Sequence, residues 1–168
     1  MRKSSLRARL KNVRMVLLDV DGVLTDGRIV YGDDGSEYKA FDAHDGYGIE
    51  RALNYGLRIG MISGRISPLV ERRAKELRIV DVYQNFMDKV SAFEELKRKY
   101  NLRDEEFAYV GDDAFDLPLL KKVGVSAAPA NAADEVTGNV DFVTKAKGGR
   151  GAAREVIDMV LKAQKKLD

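Results

Sequence analysis

The sequence has no cysteine and only one histidine among its 168 residues. The lack of cysteine excludes a disulfide framework, a thiolate metal site and a cysteine nucleophile, and it fits the reducing cytoplasm, where we expect this protein. Without cysteine or clustered histidine, a metal site in this chain has to be built from oxygen ligands, which suit hard cations such as Mg²⁺.

A charge excess and a long apolar segment are also missing. The 29 basic and 27 acidic residues leave a net charge of +2, which argues against a nucleic-acid partner. No apolar run approaches the ~18–20 residues of a membrane span, and Asp19 and Asp21 interrupt the one candidate for a signal-peptide core. The basic N-terminal stretch, residues 1–14, is best interpreted as a solvated helical lead-in, with a weak anion-binding arm as the alternative.

Apolar strand-like runs alternate along the chain with helical patterns. This alternation predicts an α/β fold, a three-layer Rossmann-like, mostly parallel sheet with helices on both faces. No repeat or long linker divides the chain, so we expect a single domain over residues 1–168. The turn sequence Gly32-Asp33-Asp34-Gly35 predicts a small β-hairpin flap at about residues 27–41, and no large cap domain.

Two carboxylates follow the first apolar run, Met15-Val16-Leu17-Leu18, at Asp19 and Asp21. Ligands of open α/β sheets bind at the carboxyl ends of the strands. Burying acids at that edge is costly unless a cation accompanies them. The pattern therefore predicts a site for a cation and, with it, a phosphate.

Other predicted strands also end in polar residues: Ser63, then Lys89 after a strand and loop, then Asp112 and Asp113. Since parallel strands share one carboxyl edge, these side chains should line a single crevice with Asp19 and Asp21. We expect Mg²⁺ there, held by the side chains of Asp19 and Asp112 and the backbone carbonyl of Asp21. Asp113 and Asp116 should lie beside the ion or hydrogen-bond to its ligands.

A carboxylate 4 Å from a phosphate dianion is repelled by roughly 8 kcal/mol at an effective dielectric constant of 20. Mg²⁺ and Lys89 can cancel this repulsion, and Ser63 can bind a further phosphate oxygen. Asp19 is then the candidate nucleophile, forming an aspartyl-phosphate. Asp21 is the candidate general acid for the leaving group and general base for water.

These motifs resemble those of the haloacid dehalogenase superfamily of phosphotransferases. Within it the chain is similar to the family of 3-deoxy-D-manno-octulosonate 8-phosphate (KDO 8-phosphate) phosphatases, from about residue 13 to residue 167. The segments that carry the resemblance are Asp19-Val20-Asp21-Gly22-Val23-Leu24-Thr25-Asp26-Gly27, Asp45-Gly46-Tyr47-Gly48-Ile49, Ser63-Gly64-Arg65, Asp88-Lys89, Gly111-Asp112-Asp113 and Gly148-Gly149-Arg150-Gly151-Ala152.

The resemblance implies Mg²⁺-dependent hydrolysis of KDO 8-phosphate to KDO and phosphate, in the biosynthesis of lipopolysaccharide precursors. It implies a homotetramer in which the hairpin of one subunit covers the active site of its neighbour. It assigns nucleophile and metal ligand to Asp19, acid/base and carbonyl ligand to Asp21, and a metal ligand to Asp112. Ser63 and Lys89 hold the phosphoryl group. The substrate-binding positions that it implies are Asp42, His44, Asp45, Gly46, Gly64, Arg65 and Arg73.

Three residues depart from the family pattern, which usually has Asn, Arg and Arg where this chain has Asp42, His44 and Glu50. Each change adds negative or removes positive charge near an expected anionic substrate. A phosphatase for another sugar-acid phosphate, such as a nine-carbon sialic-acid-type 9-phosphate, is therefore the alternative. Arg65 favours KDO 8-phosphate. A lone histidine such as His44 is also often only a surface residue.

Two non-catalytic alternatives use similar residues. A phosphoacceptor signalling domain carries its acceptor Asp on a middle strand, where this chain has Ser63. A regulatory domain derived from the family would have no need for the full set of catalytic residues that this chain retains. The sequence therefore favours the enzyme.

Overall fold

The computed structural model describes residues 4–167. The strands are β1 (Met15–Leu18), β2 (Val30–Tyr31), β3 (Glu37–Tyr38), β4 (Arg58–Ile62), β5 (Asp81–Tyr83), β6 (Phe107–Val110), β7 (Val125–Ala128) and β8 (Phe142–Val143). The helices are α1 (Leu6–Asn12), α2 (Ala43–Asn54), α3 (Pro68–Glu76), α4 (Lys89–Tyr100), α5 (Leu117–Leu120), α6 (Asp134–Thr137) and α7 (Ala152–Ala163). Two 3₁₀ turns cover Asp104–Glu106 and Ala114–Asp116.

Six strands form one sheet in the order β5-β4-β1-β6-β7-β8, and every neighbouring pair in it is parallel. The chain builds outward from β1 through β4 to β5, then crosses to the other side and continues through β6. Ligand sites of such sheets lie at the point where the strand order reverses. Leu18 pairs with Met61 on one side and Val110 on the other, so β1, β4 and β6 end at the same level.

Helices cover both faces of the sheet, because the side chains of β1 alternate between two apolar clusters. Val16 and Leu18 pack in the cluster formed with α1, α2, α3 and α7. Met15 and Leu17 pack in the cluster formed with α4, α5 and α6. The predicted three-layer α/β architecture is thereby confirmed.

The basic N-terminal stretch forms α1, whose Ser5 caps it by accepting a hydrogen bond from Ala8 N at 3.3 Å. Residues 1–3 lie outside the described part of the chain. This lead-in is less solvated than the sequence predicts: Leu10 is buried, and Arg9 binds Asp141 through two contacts of 2.7 and 2.8 Å. The helix is therefore attached to the body of the fold through the loop before β8.

The hairpin formed by β2 and β3 is a separate two-stranded antiparallel sheet, and it is the insertion expected after the first motif. Its apolar side chains are exposed, by 51% for Ile29, 66% for Tyr31 and 58% for Tyr38. Residues 4–167 contain no large cap domain. They also contain no helix of the length and apolarity that crossing a membrane requires.

Some helix bounds differ from the sequence prediction. The periodicity predicts a helix near residues 48–55, whereas α2 begins at Ala43, because the Asp42 side chain accepts a hydrogen bond from His44 N at 2.6 Å and so starts the helix earlier. The sequence pattern also predicts helices over residues 117–123 and 152–166, whereas in the structure these helices end earlier, at Leu120 and Ala163. The short helix α6 has no apolar periodicity and is missed.

Candidate active site

Asp19 is the first residue after β1, at the reversal point of the sheet. Its backbone N–H donates to the Val110 carbonyl at 3.0 Å, which extends the pairing of β1 with β6 by one residue. The chain then turns sharply, with Leu24 N and Thr25 N donating to the Val20 carbonyl at 2.9 and 3.0 Å. This turn keeps Asp19 and Asp21 at the same edge of the sheet.

Gly22 lies in this turn with φ +94°, a conformation that favours glycine. A Cβ atom there would lie 1.9 Å from Asp112 Oδ2. Position 22 therefore has to lack a side chain for Asp112 to approach the turn that carries Asp19.

Lys89 reaches the site from the first turn of α4, which Asp88 caps by accepting from Val90 N at 3.1 Å. The Lys89 side chain is buried, and its Nζ lies 2.9 Å from Asp19 Oδ1 and 2.6 Å from Asp116 Oδ1. The structure thus brings together Lys89 and Asp19, which are 70 residues apart in the sequence.

Asp116 is fully buried and uses both of its oxygens for hydrogen bonds. Oδ1 accepts from Lys89 and from the Tyr109 hydroxyl, each at 2.6 Å. Oδ2 accepts from the backbone N–H groups of Asp112 and Asp113 at 2.9 and 3.2 Å. Asp116 lies close enough to Asp19 and Asp112 to share a cation with them, but these contacts make it the residue that orients Lys89 and the 112–113 backbone.

Three carboxylates, those of Asp19, Asp112 and Asp116, each offer an oxygen within 4.8 Å of the others. With Lys89 as the cation that contacts two of them, the cluster has an excess of two negative charges. Asp19 Oδ2 and Asp112 Oδ1 are buried and have no hydrogen-bond partner among the described residues. This charge and these two oxygens fit a divalent hard cation such as Mg²⁺.

Burial raises the pKa values of three groups in the cluster. Burial raises the pKa of Asp19 well above its usual value, although Lys89 opposes this shift. Burial, with the neighbouring Asp116, raises the pKa of Asp112 to about 6. Burial likewise raises the pKa of Tyr109, so its hydroxyl stays protonated and can donate to Asp116. A bound cation would favour the ionised forms of both carboxylates.

Asp21 lies at the open side of the cluster and pairs with residues of the hairpin. Lys39 Nζ is in contact with Asp21 Oδ1 and lies 3.4 Å from Glu37 Oε1. Arg65 completes this group, with Nη1 at 3.9 Å from Asp21 Oδ2 and Nη2 at 3.1 Å from Glu37 Oε1. Two acids and two bases thus balance one another. The sequence prediction missed Glu37 and Lys39, although their spacing of two residues in an extended segment places both on one face.

A cleft of about 280 Å³ opens above Asp19. Of the predicted site residues it is lined by Asp19, Asp21, Ser63, Gly64, Arg65, Asp112 and Asp113. Ser63 is buried, and its Oγ accepts from Arg65 N at 3.2 Å. Met87 and Phe115 also line the cleft and are 65% and 40% exposed, so its mouth has an apolar rim that the sequence prediction missed.

The remaining predicted substrate positions lie outside this cleft, around the start of α2. Asp42 and Arg73 are in contact, with Arg73 Nη2 at 3.5 Å from the Asp42 carbonyl. Gly46 leaves room for that guanidinium, since a Cβ there would lie 2.4 Å from Arg73 Nη2. The His44 side chain is 84% exposed and lies 3.2 Å from Asp42 Oδ1. Their role in substrate binding stays a prediction.

The carboxylate of Asp45 binds the start of α7 and does not line the cleft above Asp19. It is buried, and its two oxygens accept from Gly151 N at 3.2 Å and Arg154 N at 2.8 Å, at the start of α7. Burial raises its pKa. These contacts make Asp45 a cap for α7 and give no support to its predicted contact with substrate. Glu50 is likewise separate from the cleft, because it pairs with Arg78 on the surface at 3.4 Å.

Comparison with known proteins places this geometry in a family. Residues 49–156 match the haloacid dehalogenase-like hydrolases. The 3-deoxy-D-manno-octulosonate 8-phosphate phosphatase KdsC of Escherichia coli strain B is 46% identical over 165 residues, 98% of this chain and 88% of that protein. This chain belongs to the KDO 8-phosphate phosphatase family of haloacid dehalogenase-like hydrolases.

Solved structures of this phosphatase family agree with the fold described above. The crystal structure of the Yersinia pestis phosphatase is 42% identical, covers 96% of this chain and 88% of its own, and superposes with a TM-score of 0.95. The Moraxella catarrhalis phosphatase, solved with magnesium ion, phosphate ion and KDO, is 37% identical, with a TM-score of 0.93 over 95% of this chain and 92% of its own.

Asp112→Asn should stabilise the metal-free phosphatase at neutral pH. A carboxyl pKa raised from 3.8 to about 6 on folding means that ionised Asp112 opposes folding above pH 6. The metal-free wild type should therefore gain stability relative to the variant as the pH falls from 7 to 5. Urea unfolding in EDTA measures this difference.

Asp113→Asn is the matched control, because Asp113 is exposed and an asparagine still caps the 3₁₀ turn. It should leave the stability in EDTA nearly unchanged. With Mg²⁺ added, the wild type should be stabilised and Asp112→Asn should not. A wild type more stable than Asp112→Asn in EDTA at pH 7 would contradict the assignment.

Proposed function

We propose that this protein hydrolyses KDO 8-phosphate to KDO and phosphate, a step in the biosynthesis of lipopolysaccharide precursors. The observation that carries the proposal is the position of Asp19 in a cleft large enough for a phosphorylated sugar acid. Lys89 holds its Oδ1, and its Oδ2 has no hydrogen-bond partner within residues 4–167. Family membership supplies the substrate, since the curated relatives carry that name.

The residues of the site meet the electrostatic demand of the reaction. Asp19 and Asp112, with the Asp21 carbonyl, would hold Mg²⁺, which when bound neutralises charge on the nucleophile and the phosphoryl group. Lys89 adds one positive charge next to Asp19. The Ser63 hydroxyl and the backbone N–H groups that follow it are placed to bind the other phosphoryl oxygens.

The first chemical step forms a bond between an Asp19 carboxylate oxygen and phosphorus, and the ester P–O bond breaks. The electron pair of that bond stays on the leaving oxygen, to which Asp21 donates a proton. Asp19 then carries the phosphoryl group as a mixed anhydride, and KDO leaves with its new hydroxyl group.

The second step regenerates the enzyme. Asp21, now a carboxylate, removes a proton from a water molecule that attacks the phosphorus of the aspartyl-phosphate. The P–O bond to Asp19 breaks, inorganic phosphate leaves, and Asp19 is again a carboxylate. Lys39 and Arg65 contact the Asp21 carboxylate at the edge of the cleft.

The small hairpin supports a homotetramer as the working form, with the hairpin of one subunit covering the cleft of its neighbour. Its exposed apolar side chains and the apolar rim at Met87 and Phe115 offer complementary surfaces, and burying them would exclude water from the cleft. We place this assembly in the cytoplasm, in keeping with the absence of cysteine.

Asp19→Asn and Asp21→Asn should fail at different steps. With p-nitrophenyl phosphate, whose leaving group needs no proton, Asp21→Asn should release about one p-nitrophenol per active site and then stall, because no base activates water. Asp19→Asn should release none. Stopped-flow absorbance measures the burst, and steady turnover by Asp19→Asn would contradict the nucleophile assignment.

A panel of sugar phosphates tests the substrate. We expect kcat/KM to be highest for KDO 8-phosphate, ahead of nine-carbon sugar-acid 9-phosphates and hexose phosphates. His44→Arg should lower the KM for KDO 8-phosphate if position 44 contacts the anionic substrate in the assembled enzyme, since it adds a positive charge. A clear preference for a nine-carbon 9-phosphate would favour the alternative substrate instead.

Tyr31→Glu tests the assembly. Tyr31 is 66% exposed on β2, so a charge there should leave the subunit folded but oppose burial of the hairpin in a neighbour. Light scattering should report a tetramer for the wild type and smaller species for the variant. Glu105→Gln, at an exposed position far from the hairpin in sequence, serves as the control. A wild type that is monomeric would contradict the proposed assembly.

A further inference from the structure

The ammonium group of Lys89 has three hydrogens and three oxygen acceptors around it. The distances from Nζ are 2.6 Å to Asp116 Oδ1, 2.9 Å to Asp19 Oδ1 and 3.1 Å to the Tyr109 hydroxyl. The Phe115 ring lies on a further side, with its centroid 4.5 Å away. The ammonium is therefore enclosed, and its orientation is set by which acceptor takes which hydrogen.

Tyr109 lies in the middle portion of β6 and is fully buried. Its hydroxyl is 2.6 Å from Asp116 Oδ1, a carboxylate oxygen that can only accept. The single phenolic hydrogen therefore goes to Asp116, and the hydroxyl oxygen presents a lone pair to Lys89. The direction of both hydrogen bonds is thus determined by the chemistry of the three groups.

We propose that Tyr109 is a positioning residue for the phosphoryl-transfer step, acting through Lys89. Its hydroxyl takes one hydrogen of the ammonium and Asp116 takes a second, so that the third is aimed at Asp19, where the phosphoryl group arrives. Without the hydroxyl, that hydrogen faces an apolar ring, and only the contacts with Asp116 and Asp19 set the rotation of the ammonium. The proposal rests on the proposed phosphatase function and adds to it a residue outside the cleft.

The chain contains a second group of the same composition, which serves as a matched control. Asp81 is buried at the start of β5, and it accepts from Lys99 Nζ at 2.6 Å and from the Tyr100 hydroxyl at 2.7 Å. These residues do not line the cleft above Asp19. Tyr100→Phe therefore removes a tyrosine hydroxyl from a second, more exposed Lys–Asp–Tyr group, whose Lys99 side chain is 50% exposed, without touching the site.

The experiment compares Tyr109→Phe, Tyr100→Phe and the wild type in the full chain with Mg²⁺. For KDO 8-phosphate and for p-nitrophenyl phosphate, Tyr109→Phe should lower kcat about tenfold, with KM within about twofold, because a misplaced catalytic group affects the transition state more than ground-state binding. Tyr100→Phe should keep the kcat of the wild type. Both variants should unfold below the wild type, and Tyr109→Phe at the lower temperature, because it leaves a hydrogen of the buried Lys89 unpaired.

Three results would overturn the proposal. These are an unchanged kcat in Tyr109→Phe, an equal loss of kcat in both variants, and a Tyr109→Phe chain that does not fold, which would make the hydroxyl a structural requirement. Near-ultraviolet circular dichroism gives the folded fraction to which kcat is referred. A failure of the proposed function looks different, because the wild type itself would then not hydrolyse KDO 8-phosphate.

Discussion

The structure depends on an unbalanced charge at the end of one buried strand. Asp19, Asp112 and Asp116 meet there around a single ammonium, that of Lys89. An excess of two negative charges in a buried place opposes folding, and proteins keep such a cluster where a cation or a charged substrate compensates it. Burial, together with the neighbouring carboxylates, raises the pKa values of Asp19 and Asp112. The hydrogen bonds of Asp116 and the enclosure of Lys89 hold the charges in place until a ligand arrives.

The order of the strands explains why these residues meet. The chain places β4 and β6 on either side of β1. The loops after all three strands therefore open at one point, and each contributes one kind of group: carboxylates from two loops and a hydroxyl from the third. Lys89 comes from the start of a helix. Its side chain is buried in the core beside Tyr109, and this brings the ammonium group to the site. The strand order thus brings the groups of the site together, and the individual contacts then orient them.

The sequence predicted the parts of the site that follow strand ends, and missed those that depend on side-chain direction. Asp19, Ser63 and Asp112 could be found because a buried apolar run gives no other reason for a polar residue at its end. Lys39 and Tyr109 could not be found in the same way: one lies in a hairpin whose fold over Asp21 is a long-range contact, and the other is an aromatic residue inside an apolar strand. Asp45 is a different case: the resemblance suggests a contact with substrate, which stays a prediction, while the structure shows its carboxylate capping α7. The helix bounds were least accurate where a single capping residue, Asp42, decides the start.

Gly22 shows that the site leaves no room for a side chain at position 22. The space that a methyl group would need at that position is taken by the Asp112 carboxylate. A chain with all the acids and the lysine in place, but with alanine at this one position, would retain the charges and lose the arrangement that makes them useful. The absence of a side chain at position 22 is therefore as much a requirement of this arrangement as the acids that compose it. A list of the acids alone would not reveal that requirement.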